Sequence, residues 1–262
     1  MPYANNQGIR IHYRVEGDGR PLVLQHGYTQ SLEHWYQCGY VDALKAHYRV
    51  VLVDARGHGE SDKPHERAAY AWPVGVTDIF AVLDALGIGR TLYWGYSMGG
   101  SIGFGALAIA PERIIALVAG GAAADATAIG DRLQHVDGSD PEAFVAAFES
   151  FMNAPIPPAV RAGLLAGDTR ALAAAAQNRP SLIDRLSRIA TPCLLYAGDR
   201  DFVFSRAKAT ASQIASAKFQ LLPGLSHPEG FMRSDLVLPH VLAFLNDVSE
   251  QRQPDNGVEP TR

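Results

Sequence analysis

Cysteine is scarce in this 262-residue chain: Cys38 and Cys193 are the only two, and they form no CxxC pair. That excludes a Cys-rich zinc site and a disulfide scaffold, and it favours a reducing, cytoplasmic setting. Basic residues never cluster. The 23 Lys+Arg are outnumbered by 27 Asp+Glu, for a net charge of −4, so a nucleic-acid partner, which needs a concentrated Lys/Arg surface, is not expected. No apolar run approaches the length that crosses a bilayer. The opening Met-Pro-Tyr-Ala-Asn-Asn-Gln-Gly has no basic region followed by an apolar stretch, so neither a signal peptide nor a membrane partner is expected. There is no His-Glu-x-x-His, no phosphate loop with its Lys and no Gly-x-Gly-x-x-Gly, and hence no expected metal or nucleotide cofactor. What remains, 47% hydrophobic and 19% charged residues, is the composition of an ordinary globular chain. The length suits one large domain, or one domain carrying an insertion.

Buried strands announce themselves as short continuous apolar runs. They occur at Pro21 to Gln25, Val50 to Val53, Thr91 to Trp94, Ile114 to Val118, Cys193 to Tyr196 and Phe219 to Leu222. Ile9 to Val15 instead alternates apolar and polar residues, as a half-buried strand in an antiparallel edge hairpin does. Helical spacing separates the runs: Val76, Ile79, Phe80, Leu83 and Leu86, stopped by Gly87; Met98 to Ala110, ended by Pro111; and Leu236 to Val248, with Pro239 expected in the first turn. Alternating buried strands and helices specify a mostly parallel α/β sheet covered on both faces. Residues 124–189 break the alternation. Phe144, Phe148 and Phe151 fall at i, i+4 and i+7, and Leu164, Leu165 and the Ala171 to Ala176 run also suggest helices. This stretch reads as a helical insertion, with breaks at Ile156-Pro-Pro-Ala and Gly167-Asp168. The core is then 1–123 with 190–250, and the polar 251–262 segment is a flexible tail.

The strongest chemical signal is Gly95-Tyr96-Ser97-Met98-Gly99, a Gly-x-Ser-x-Gly between an apolar strand and a helical pattern. A sharp strand-to-helix turn strains the serine backbone and needs small residues two positions away on each side, hence Gly95 and Gly99. It also presents the Ser97 hydroxyl at a helix N-terminus, where developing negative charge is favoured. A serine needs a base and a group to orient that base. Two loops that follow predicted strands supply them on the same sheet edge: Gly198-Asp199-Arg200-Asp201 and Pro223-Gly224-Leu225-Ser226-His227. His26 and His58, in Gly-flanked turns, suit structural hydrogen bonds, and His240 suits the surface. Asp54 and Arg56 are expected to brace the loop through Ser61.

With Gln25-His26-Gly27-Tyr28 and Asp54-Ala-Arg-Gly-His-Gly-Glu-Ser61, these ordered motifs resemble the α/β-hydrolase superfamily over essentially Ile9 to Val248. The likeness is to its small, cofactor-independent esterase, lactonase and non-metal haloperoxidase branch. The resemblance implies an eight-stranded, mostly parallel sheet flanked by helices, with a small helical lid after the sixth strand. It places the acid at Asp201, leaves Asp199 to cap its turn, and offers Asp125 as an alternative acid position. It assigns the oxyanion donors to the Tyr28 and Met98 N–H groups. Tyr28, Phe144, Phe148, Phe151 and Phe202 are candidates to line the pocket, with Trp35, Trp72 and Phe204 behind them.

The chemistry these residues imply is hydrolysis of a carboxylic ester or lactone, small to medium and mostly apolar, through an acyl-enzyme. Dehalogenases and epoxide hydrolases of the superfamily use a carboxylate nucleophile, where this chain has Ser97. A C–C bond hydrolase or a perhydrolase on the same three residues stays open, as does a ligand receptor built on the fold. The oligomeric state is not legible in the sequence.

Overall fold

The apolar runs become the middle of a single sheet. The computed structural model describes residues 2–152 and 156–250; the tail expected at 251–262 lies outside them. Its strands are β1 (Tyr3–Asn6), β2 (Ile9–Glu16), β3 (Arg20–Gln25), β4 (Tyr48–Val53), β5 (Thr91–Tyr96), β6 (Ile114–Gly120), β7 (Cys193–Gly198) and β8 (Ala217–Leu222). They form one eight-stranded sheet in the order β1-β2-β4-β3-β5-β6-β7-β8. β2 runs antiparallel to β1 and β4, and every other pairing is parallel. The α-helices are α1 (Glu33–Gln37), α2 (Tyr40–Leu44), α3 (Val74–Ala85), α4 (Met98–Ile109), α5 (Ile129–Leu133), α6 (Pro141–Met152), α7 (Pro158–Ala166), α8 (Thr169–Ala175), α9 (Ile183–Leu186), α10 (Phe204–Gln213), α11 (Glu229–Met232) and α12 (Ser234–Glu250). Among the described residues, no helix is long and apolar enough to cross a membrane.

Strand side chains alternate between faces, so each buried strand feeds two cores. Along β5, Leu92, Trp94 and Tyr96 join Trp35, Tyr40 and Phe231 and the α12 stripe Val237, Val241, Phe244 and Leu245. Tyr93 points the other way, into Val76, Ile79 and Leu83 of α3 and Phe104 and Leu107 of α4. A separate apolar cluster lies outside the sheet layers: Phe144, Val145 and Phe148 of α6 pack with Leu164 of α7 and Leu172 and Ala173 of α8. All five helices α5–α9 lie between β6 and β7.

Three local expectations need correction. The Phe219 to Leu222 run is not buried on both faces: β8 is the last strand of the sheet, and Leu221 is 39% exposed. β2 is not simply half-buried, because Ile11, His12 and Tyr13 are all buried between β1 and β4. Pro239 lies in the second turn of α12, not the first. It is exposed, so the carbonyl that its missing N–H leaves unbonded can take water instead.

Candidate active site

The sharp turn after β5 sets everything else. Ser97 has φ 52° and ψ −112°, a left-handed conformation that a non-glycine residue adopts only under constraint. Its N–H is held by the Gly120 carbonyl at 2.7 Å, and its carbonyl takes the Ser101 N–H at 3.0 Å, opening α4. The flanking glycines are required by contact. A Cβ on Gly95 would lie 2.2 Å from the Gly99 backbone, and one on Gly99 would lie 2.1 Å from the Gln25 carbonyl oxygen.

The loops after β7 and β8 bring Asp201 and His227 to this turn. His227 Nε2 lies 3.0 Å from Ser97 Oγ, and His227 Nδ1 lies 3.0 and 2.9 Å from the two carboxylate oxygens of Asp201. Asp201 is buried and also accepts the Val203 N–H at 2.8 Å. With Nδ1 facing a carboxylate, the imidazole proton sits there, leaving Nε2 to accept from the serine. Asp199 bridges the two loops by accepting the Gly224 N–H at 2.7 Å. The Tyr96 hydroxyl donates to the His227 carbonyl, tying the base to the strand that carries the serine. Asp125, the alternative acid, is instead paired with Arg206 at 2.8 and 2.9 Å.

The loop after β3 forms the opposite wall. The Gln30 side chain accepts the Gly27 N–H at 2.9 Å, and the Gln30 N–H returns to the Gly27 carbonyl at 3.2 Å. Thr29 takes a positive φ of 66° inside this turn. A Cβ on Gly27 would stand 3.4 Å from Ser97 Cβ, an ordinary contact, and 2.9 Å from Gln30 Oε1, where it would press on the amide that closes the turn. Among the described residues, the Tyr28 and Met98 N–H groups have no acceptor. His26 Nε2 accepts the Ala55 N–H at 3.1 Å while Nδ1 donates to the Gly27 carbonyl at 2.8 Å, so it braces the turn as a neutral ring; burial lowers its pKa. Asp54 takes the Leu32 and Glu60 N–H groups at 2.8 and 3.0 Å, and Arg56 grips Asp78 with two bonds of 2.7 and 2.6 Å. Both serve the bracing expected of them.

An α/β hydrolase fold model matches residues 20–160, more than half of the chain. The chain belongs to the α/β hydrolase family. A 116-residue segment, 43% of the chain, is 37% identical to human epoxide hydrolase 4, but it spans only 31% of that protein. A putative non-heme chloroperoxidase from a Synechocystis strain is 27% identical, with 94% of this chain and 100% of the relative covered. The crystal structure of an enol-lactonase from Burkholderia xenovorans LB400 superimposes with a TM-score of 0.80 at 25% identity, covering 94% of this chain and 100% of the other.

In this α/β hydrolase, a cavity opens beside the serine turn, walled by Tyr28, Met98, Trp72, Ile79, Ile102 and Arg179 among others. Of the sequence candidates for a pocket, Tyr28 and Trp72 line it, while Phe144, Phe148, Phe151 and Phe202 do not. Phe144 and Phe148 are buried in the cluster that holds α6 to α7 and α8, where Phe148 also meets the Tyr28 ring edge-on at 5.7 Å between centres. Phe151 meets Phe202 edge-on, and Phe202, 52% exposed, lies tilted against His227 with ring centres 4.5 Å apart. Trp35 and Phe204 are packing residues. Gln30 and Arg179 escaped sequence reasoning. Gln30 closes the turn through a side-chain bond that no spacing reveals, and Arg179 arrives from far along the chain.

Proposed function

We propose that this chain is a serine hydrolase that cleaves carboxylic esters or lactones through an acyl-enzyme. The observation that carries the reading is the continuous hydrogen-bonded line from Ser97 Oγ through His227 to buried Asp201. His227 Nε2 takes the Ser97 proton as the oxygen attacks the carbonyl carbon. Asp201 keeps the ring oriented and stabilises it once it is charged. The unengaged Tyr28 and Met98 N–H groups receive the oxyanion, at the N-terminus of α4. His227 then gives its proton to the leaving alkoxide, and water attacks the acyl-enzyme with His227 as base. An epoxide-opening route would need a carboxylate where Ser97 stands. The helices between β6 and β7, residues 124–189, act as a lid over the cleft, and the protein is cytoplasmic. The likeness to an enol-lactonase structure supports the lactone half of the assignment.

The test is turnover of a panel of p-nitrophenyl esters and lactones by the wild type and Ser97→Ala. Loss of Ser97 should remove at least about 10³-fold of kcat with little change in thermal stability. Substantial residual turnover means another nucleophile. A folded wild type without turnover on any substrate moves the reading to C–C bond cleavage or to a ligand receptor.

A further inference from the structure

Among the described residues, Arg179 is a cation with no counter-ion. Its backbone is fixed by paired bonds to Thr127 of 2.9 and 3.2 Å, an isolated antiparallel bridge. Its guanidinium reaches the Met98 carbonyl at 3.5 Å, and among the described residues no carboxylate pairs with it. Other charges nearby are already cancelled: Asp78 by Arg56, with Asn6 Nδ2 adding a bond at 2.7 Å, and Asp125 by Arg206. The wall therefore carries one uncompensated positive charge. Burial first, and then the like charge of Arg206, brings Arg179 down to about 10, still cationic at neutral pH.

Arg179 lies on the shared wall of two cavities. The larger, described above, and a much smaller one have Trp72, Ser101 and Arg179 in common. Among the described residues, four buried polar atoms in these walls lack a partner: the Trp72 indole nitrogen and the Thr127 hydroxyl, which can donate, and Gln25 Oε1 and His58 Nε2, which accept. Leaving buried polar atoms and a half-buried cation unmatched is costly unless a ligand matches them. Val53, Ile79, Ile102 and Ile129 supply apolar wall between this corner and Tyr28. The cavity touches Met98 and Tyr28 but not His227. The leaving group must face His227 to be protonated, so this cavity holds the acyl half.

We propose that Arg179, the Trp72 indole N–H and the Thr127 hydroxyl form a subsite for a carboxylate on the acyl part of the substrate. The substrate class is thus a half-ester of a short dicarboxylic acid, or a lactone bearing a free carboxylate, rather than the mostly apolar ester expected from composition. The assignment of substrate rests on the serine-hydrolase reading; the anion subsite does not.

The test has a binding arm and a kinetic arm. Titration calorimetry on Ser97→Ala, which binds without turnover, compares monomethyl glutarate with uncharged dimethyl glutarate. The monoester should bind at least about tenfold more tightly, and the double variant Ser97→Ala/Arg179→Gln should lose that preference. In the otherwise wild-type protein, the ratio of kcat/KM for monomethyl glutarate to that for methyl pentanoate should fall about 100-fold in Arg179→Gln and be partly rescued in Arg179→Lys. Trp72→Phe keeps the ring, removes the indole N–H, and should lower the same ratio a few-fold. Equal binding of the two esters, or a ratio indifferent to Arg179, overturns the subsite and leaves Arg179 as a brace for the Met98 carbonyl. Arg179-dependent binding without Ser97-dependent turnover of any ester keeps the subsite and rejects the hydrolase reading.

Discussion

On one side of Ser97, polar groups are bonded in a closed chain. His227 contacts Ser97 and both oxygens of Asp201, Asp201 takes the Val203 N–H, and Asp199 ties the two loops together. On the other side, the Trp72 nitrogen, the Thr127 hydroxyl, Gln25 Oε1 and His58 Nε2 are buried without partners among the described residues, none of which gives Arg179 a carboxylate. The same backbone turn separates them. A saturated network holds a proton path in one geometry before substrate arrives. An unsaturated one is a set of bonds that only a ligand completes. Under the proposed function the contrast divides the labour: the saturated side would perform the reaction, and the unsaturated side would choose what reacts.

The sharpest way to break the contrast is to spoil the saturated side without emptying it. Asp201→Asn keeps the shape but presents an amide to His227 Nδ1, which disfavours the tautomer that can accept the Ser97 proton. The expected loss in kcat is about 10³- to 10⁴-fold. Asp125→Asn, which only loosens a half-exposed pair with Arg206, should change kcat less than about threefold. Steady-state kinetics on one p-nitrophenyl ester reads both. A mild Asp201→Asn together with a severe Asp125→Asn would move the acid and undo the comparison.

A smaller effect tests how the base is held. Tyr96 donates to the His227 carbonyl and packs on its ring with centres 5.3 Å apart. Tyr96→Phe retains the ring and drops the bond, which is worth about 1 kcal/mol. Turnover should fall roughly fivefold to tenfold, with KM nearly constant because Tyr96 is absent from the cavity wall. A KM effect without a kcat effect would place Tyr96 on the binding side instead.

How much of this was readable from the chain follows the same division. Ser97, Asp201 and His227 sit in loops that directly follow apolar strands, and a parallel sheet delivers all such loops to one edge. Their convergence is thus a consequence of local patterns that the sequence displays. β1 escaped because Tyr-Ala-Asn-Asn carries no apolar pattern; it is a strand through its pairing with β2. The Phe144/Phe148 stripe was legible as a helix face but not as to what it faces, since periodicity is the same for a face turned to a cleft and one turned to other helices. Arg179 was illegible for a different reason. Its meaning lies in what is missing around it, and an absent counter-ion is a property of three-dimensional neighbours rather than of spacing.

The smallest effect concerns the unsaturated side in the absence of ligand. His58 donates from Nδ1 to the Arg56 carbonyl at 3.0 Å, and its Nε2 is buried with no partner. Burial first, then the neighbouring His26, pushes its pKa from 6.5 to about 3. The unfolded chain therefore binds a proton near pH 6.5 that the folded protein refuses until about pH 3. Stability from this site is complete above pH 6.5 and drains away as the pH falls toward 3, by roughly 1 kcal/mol between pH 6.5 and 5.5. Urea denaturation at several pH values measures the slope. His58→Leu removes the titrating group, so its stability should decline less steeply by about 1.4 kcal/mol per pH unit between pH ~6 and ~4, whatever its stability at neutral pH. An unchanged slope would mean that His58 takes up its proton in the folded state. The corner beside Tyr28 would then be charged and wet, and the contrast between a finished side and a waiting one would lose its simplest support.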